Sequence, residues 1–314
     1  MRNIPKGGHA RLQVIHTTRF DYSEPVILAH NEIRMTPMQT GLQRVLDTQI
    51  HVEFTDGGSA SSVKTITHRD HFANIVHHFD IAAPHRQLEI VSQSTVETTH
   101  AICCGPEAEL DARPYPQHWA QFLIWSPGVP KLAEYKTVPS AHEIRMDMNE
   151  NEFEAALVDL VGYFFRTFRF DPDVTHVHSS PAELFKQGGG VCQDMAHALI
   201  GVLRTAGIPA RYVSGYIYDP DTGTEKGDRL RGASASHAWV QVWHDKFGWI
   251  GIDPTNNKLV DWQYIRTAIG RDYFDVPPIR GLFRGQVKQR MQVDVQVTRQ
   301  LPEKIMAAPG EISC

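Results

Sequence analysis

Cysteine is scarce in this chain: four in 314 residues, at positions 103, 104, 192 and 314. That count excludes a disulfide framework as the main support of the fold, and no Cys-x-x-Cys pair marks a structural zinc site. Long apolar runs are missing too. No stretch approaches the roughly 20 residues that span a membrane. The opening residues, Met1 to His9, lack the apolar centre of a signal peptide. Neither sign of charge dominates: 31 Lys and Arg against 36 Asp and Glu leave a formal net charge of -5. This gives no electrostatic footprint for nucleic acid or for an anionic membrane surface. The composition is that of a soluble globular protein, and the expected compartment is the cytoplasm. The length suggests about two domains.

What is present first is β structure. Strand-forming residues concentrate over 11–20, 26–35, 44–54, 71–81 and 87–98, with a turn signal at Asp56-Gly57-Gly58-Ser59. A β-rich, sandwich-like domain over 1–105 is the expectation. It holds no set of nucleophile, base and acid, so its expected task is packing, or shaping access to a site elsewhere. His68, His71, His77, His78 and His85 cluster here, but no cysteine or carboxylate pattern joins them. They read as dispersed residues and not as a metal site.

From 106 to 150 six prolines break regular structure, and this stretch reads as a connector whose Trp119, Phe122 and Trp125 anchor short helical turns. Phe153, Leu157, Leu160, Val161 and Phe164 then recur at helical spacing over 150–168. His176-Val177-His178 alternates as a metal-binding pair does, without a third ligand. Ser180-Pro181 opens a short helix, with proline at its first turn.

Three glycines, Gly188-Gly189-Gly190, run into Val191 and Cys192, where another helical pattern starts with Met195, Leu199, Val202 and Leu203 and stops at Gly207-Ile208-Pro209. A cysteine at a helix start meets free N–H groups and the positive end of the dipole, which favour a thiolate. A small buried core residue is the competing reading of this stretch taken alone. Strands follow over 210–218, 236–243 and 249–256, the last two joined by a turn at 244–248. The polar stretch Asp219 to Ala233 reads as a surface loop in the place of a lid. Gln292 to Val297 alternates strictly and marks one more strand, able to close either sheet.

His237 opens one strand of the hairpin and Asp253 closes the next, so the two are expected as neighbours across the ladder. With the Cys192 helix packed against that hairpin, Cys192 is the candidate nucleophile, His237 the base and Asp253 the group that orients it. The N–H of Cys192 is a candidate oxyanion donor. A second donor is not legible.

Gly-Val-Cys-Gln-Asp at 190–194, Arg-Thr-Ala-Gly-Ile-Pro-Ala-Arg-Tyr-Val-Ser-Gly-Tyr at 204–216, Ser-His-Ala-Trp-Val at 236–240 and Gly-Trp-Ile-Gly-Ile-Asp-Pro-Thr-Asn at 248–256 resemble the bacterial transglutaminase-like superfamily. His16 to Tyr22, His30-Asn31-Glu32 and Pro84-His85-Arg86 resemble the N-terminal region that accompanies this domain in one bacterial subfamily. Gly270 to Tyr273 and Pro277 to Gly281 resemble that subfamily's end motif. One departure is Lys186-Gln187-Gly188-Gly189, where relatives commonly carry more basic residues.

The resemblance implies an α+β fold with a papain-like core, its cysteine helix packed on an antiparallel sheet, over 151–285. A C-terminal strand and tail occupy 286–314. It also implies a Cys192-His237-Asp253 triad acting through an acyl-enzyme, first of all as a cysteine peptidase or amidase on a peptide or protein substrate. Protein-glutamine γ-glutamyl transfer is the alternative within the enzymes, and a peptide-binding or scaffold module with a masked triad the alternative outside them. Thiol and imidazole need no cofactor, and no acidic glycine-containing loop suggests calcium.

Overall fold

A computed structural model of the chain describes residues 9–99, 118–173, 179–220, 230–285 and 287–300. Cys103, Cys104, Cys314, the His176–His178 pair and residues 221–229 of the polar loop lie outside them. In chain order the strands are β1 (His9–Ile33), β2 (Gln43–Thr55), β3 (Ser61–Ser62), β4 (Ile66–Arg69), β5 (Ile75–Ile81) and β6 (His85–Thr99). Helix α1 (Glu150–Thr167), β7 (Arg169–Phe170), α2 (Pro181–Gln187), β8 (Gly189–Gly190) and α3 (Cys192–Thr205) follow. The chain goes on through β9 (Ala210–Ile217), β10 (His237–His244), β11 (Gly248–Asp253), β12 (Lys258–Leu259), β13 (Tyr264–Gly270), β14 (Ile279–Arg284) and β15 (Gln289–Gln300).

The first eight-stranded sheet runs β3-β2-β6-β1-β5-β4, with β14 and β15 also paired to β1. Sequence reading expects two strands over 11–35. The structure has one, bent in the middle. Its first part, to Tyr22, lies between β6 and β15, and its last part, from Ala29, lies between β5 and β14. The register slips between Asp21 and Val26, and Leu28 takes a φ of 51°, so the strand turns a corner there. The β-rich part is thus one curled sheet, closed on Phe20, Val26, Ile33, Phe79, Leu88 and Ile90.

The second sheet, β12-β11-β10-β9-β13, is antiparallel throughout. One face packs on α1 and α3 through Leu157, Leu160, Leu199, Val240, Val242 and Ile250. The other meets the curled sheet, where Tyr216 and Ile265 join Leu12, Val14 and Val96. Helix α1 starts from a reciprocal cap: Asn149 accepts from the Glu152 N–H at 3.1 Å, and the Glu152 carboxylate accepts from the Asn149 N–H at 3.0 Å. In the connector, Phe122 is buried against Trp249, with ring centroids 5.3 Å apart.

The stretches that carried the resemblance meet in space. Arg280 pairs with Glu32 and Gly281 with Asn31, and a Cβ at Gly281 would lie 2.6 Å from Asn31 Oδ1. No helix among the described residues is long and apolar enough to cross a membrane.

Candidate active site

The approach to Cys192 is built from backbone. Gly189 and Gly190 pair in parallel with Arg169 and Phe170. A side chain at Gly190 would stand 2.8 Å from the Asp194 carboxylate, so the bare glycine lets that carboxylate fold back and accept the Val191 N–H at 2.8 Å. Val191 is extended and Cys192 is the first helical residue of α3. Cys192 is half-buried with a free thiol, whereas α3 from Gln193 to Arg204 is buried on every side. A helix set in the middle of a core holds its first residue at a fixed place on the rim of the sheet.

His237 and Asp253 come together more steeply than the hairpin suggests. The register pairs Val240 with Ile252. Continued by one step, it sets Asp253 opposite Trp239, not His237. The two residues are therefore diagonal on one face, still within reach of each other. His237 Nε2 lies 2.8 Å from Asp253 Oδ2, and both side chains are fully buried. Burial alone would push the imidazole down. The charges of Asp253 and Cys192, with the hydrogen bond to Asp253, carry it up to about 10. The carboxylate moves the other way. Burial opposes its charge, but His237, Asn256 and Tyr264 together hold its pKa below the ordinary value. Both shifts favour an imidazolium beside a carboxylate.

Asp253 has further support. Its Oδ2 accepts from Asn256 Nδ2 and from the Tyr264 hydroxyl, each at 2.8 Å. Its Oδ1 accepts the N–H groups of Thr255 at 2.8 Å and Asn256 at 3.3 Å. Nδ1 of His237 makes no hydrogen bond among the described residues, and Cys192 is the other group whose charge acts on the ring. Contacts of this kind commonly tighten only when substrate is bound. Gly232, at a φ of +83°, backs onto the same nitrogen. A Cβ there would come 2.5 Å from it, so only glycine leaves the imidazole in place. Asn256 holds that turn, accepting the Arg231 N–H at 2.8 Å.

A second histidine on α3, His197, plays a different part. Its Nε2 accepts the Tyr273 N–H at 3.0 Å, and burial pushes it down to about 4 against the pull of Asp272. Asp272 in turn accepts the Gly128 N–H at 2.7 Å. The end motif thus clamps the cysteine helix to the connector.

Cys192, His237 and Asp253 are the residues that the sequence singles out. Asn256, Tyr264 and Gly232 it does not. Asn256 left a signal, an amide two residues after an Asp-Pro turn. Tyr264 and Gly232 left none.

Among the clustered histidines of the curled sheet, His71, His77 and His78 are occupied locally. His77 bonds Thr36 and Thr67, His30 and His78 meet Asp80, and His71 bonds Gln121. Among the described residues no three His, Cys, Asp or Glu side chains are spaced to hold a metal ion.

Residues 141–254 match the family model described as the transglutaminase-like superfamily, and residues 12–97 match the bacterial transglutaminase-like N-terminal region. An uncharacterised protein of Mycobacterium leprae is 32% identical over 92% of this chain and 99% of its own length. The chain belongs to the bacterial transglutaminase-like family. A protein-glutamine gamma-glutamyltransferase of Pseudomonas aeruginosa is 33% identical over 32% of this chain and 15% of its own. A crystal structure of a candidate cysteine protease from Cytophaga hutchinsonii shares the fold. It has a TM-score of 0.68 at 18% identity and covers 93% of this chain and 91% of its own. Members of this family are typically enzymes.

Proposed function

We propose that this family member is a cysteine-dependent amide hydrolase, a peptidase or amidase acting on a peptide or protein substrate. The observation that carries the reading is the fully buried His237–Asp253 pair, 2.8 Å apart, whose imidazole is also acted on by the charge of a cysteine at a helix start. An imidazole held by a buried carboxylate beside a cysteine at a helix start is the arrangement that thiol chemistry requires.

The chemistry follows from that charge distribution. The Cys192 sulfur attacks the amide carbon, and the oxygen takes up negative charge. The N–H of Cys192, at the start of α3, donates to that oxygen. The carbon–nitrogen bond then breaks as His237 passes its proton to the leaving nitrogen. An acyl group remains on the sulfur. Neutral His237 next takes a proton from water, whose oxygen attacks the thioester, and the acid product leaves with thiolate and imidazolium restored. Asp253 keeps the ring aligned and balances its charge.

The test is alkylation of folded protein by iodoacetamide from about pH 5 to 9, with mass mapping of the modified cysteine, beside His237→Ala. Selective labelling of Cys192 at low pH, lost in the variant, is the expected result. An inert Cys192 in accessible, folded protein overturns the reading and leaves a binding module. The Pseudomonas relative named as a gamma-glutamyltransferase favours one second reading, in which an amine replaces water. A glutamine peptide supplied with and without a primary amine separates the two: ammonia release without amine incorporation supports hydrolysis.

A further inference from the structure

We infer that Tyr264 is a positioning residue of this site: its hydroxyl shares the charge on Asp253 Oδ2 and keeps the His237 imidazolium willing to release its proton. The inference rests on the thiol–imidazole reading above.

Three donors converge on one carboxylate oxygen. His237 Nε2, Asn256 Nδ2 and the Tyr264 hydroxyl all lie 2.8 Å from Asp253 Oδ2. These residues reach it from the core sheet, its turn and its far strand, and they compete for the same lone pairs. Water does not offset this competition, because the Asp253 and His237 side chains are both fully buried. In such a place a carboxylate facing only an imidazolium grips its proton hard. An acid that must hand a proton to a leaving amine works best when that grip is moderate.

Asn256 is committed elsewhere as well, accepting from Arg231 N–H at 2.8 Å and donating to the Arg231 carbonyl at 3.2 Å. Tyr264 has one duty: its hydroxyl bonds Asp253. Its ring is fixed edge-on to Trp239, with centroids 5.2 Å apart, and Lys258 Nζ stands 5.4 Å from the ring centre. The backbone N–H of Tyr264 is tied to the Asp261 carbonyl at 3.2 Å. The donor is preset before any substrate arrives, so little ordering remains to be done during reaction. Burial and the Asp253 charge hold the phenol well above its ordinary pKa, so it stays a donor.

The experiment compares wild type with Tyr264→Phe by alkylating Cys192 with iodoacetate across roughly pH 5 to 11.5. The reagent is an anion drawn by the imidazolium, so its alkaline limb reports where His237 loses its proton. Neutral iodoacetamide, run alongside, reports the thiolate alone. In Tyr264→Phe the alkaline limb is expected to move up by about half to one pH unit, the scale of one typical hydrogen bond. Fluorotyrosine at position 264, a stronger donor on the same ring, is expected to move the limb down. A limb that stays in place in both folded variants overturns the inference, and if the phenylalanine variant does not fold, the fluorotyrosine protein decides alone. A wild type with no imidazolium-dependent limb overturns the thiol–imidazole reading instead, and this inference with it.

Discussion

Burial alternates residue by residue along β1 and β6 of the curled sheet, while every residue of β9, β10 and β11 in the core sheet is buried. The curled sheet has one face on a core and one largely in water. The core sheet has helices on one face and the curled sheet on the other. Each sheet carries a buried histidine, and the two behave oppositely. His16 on β1 meets only hydroxyls, Tyr216 at 2.9 Å and Thr18 at 3.0 Å. Burial pushes it down to about 4, with Asp294 pulling weakly the other way. His237 on β10 meets a carboxylate and is carried up to about 10 although it too is buried. Depth alone does not set the proton on a buried imidazole. The partner does, and a sheet covered on both faces makes that partner's influence large, because no water dilutes it.

The strongest way to break this contrast is Asp253→Asn. It turns the partner of His237 into a neutral amide, so the imidazole falls toward the behaviour of His16. Hydrolysis is expected to drop about 10³- to 10⁴-fold, and alkylation of Cys192 at pH 6 to fall to that of an ordinary thiol. Kinetics and mass mapping check both.

Backbone contacts give the next largest effect. A Cβ at Gly215, the register partner of His237, would lie 2.0 Å from the Ile265 carbonyl oxygen and 2.6 Å from Trp239. Gly215→Ala is expected to cost about 3 kcal/mol or more in denaturant unfolding, because backbone cannot move aside.

Acid separates the histidines without mutation. His16 and His197 have folded pKa values near 4, below the ordinary 6.5. Between these values the unfolded chain binds the extra protons, so the contribution of these two groups is full above pH 6.5 and is lost as pH drops toward 4. Each group accounts for a loss of about 3 kcal/mol. His16→Gln is expected to remove about 2 kcal/mol of the loss between pH 7 and 4.5, read from urea unfolding at both pH values. The His237–Asp253 pair gives the opposite slope on the alkaline side: its imidazolium contribution fades from pH 6.5 up to about 10.

The smallest effect belongs to the exposed turn of the curled sheet. A Cβ at Gly58 would meet nothing within 4 Å, and the backbone there is not left-handed. Gly58→Ala is expected to stay within about 0.5 kcal/mol in the same unfolding measurement.

Periodicity made the elements readable. The α1 and α3 stripes, the proline opening α2 and the 244–248 turn follow from local preferences that hold wherever these segments end up. The placement of Cys192 at a helix start followed from the glycines before it. The bend in β1 did not, since a register slip is visible only when the partner strands are in place. The choice made by β15 was equally hidden. Its alternation fits either sheet, and only the pairing of Val14 with Val297 and of Arg11 with Gln300 shows which.

The sequence by itself determined the elements and the residue types that chemistry needs: a cysteine at a helix start, a histidine and an aspartate on a hairpin. These are local facts, fixed by backbone preference and by the period of the apolar residues. The tertiary structure decided the rest. It set Asp253 diagonal to His237, brought Tyr264 and Asn256 onto the same carboxylate oxygen, and laid Gly232 against the ring. It also gave one buried histidine a carboxylate and another only hydroxyls. Those contacts need strands and turns brought to one place by packing, and the charge they create exists only where burial has removed water from between them.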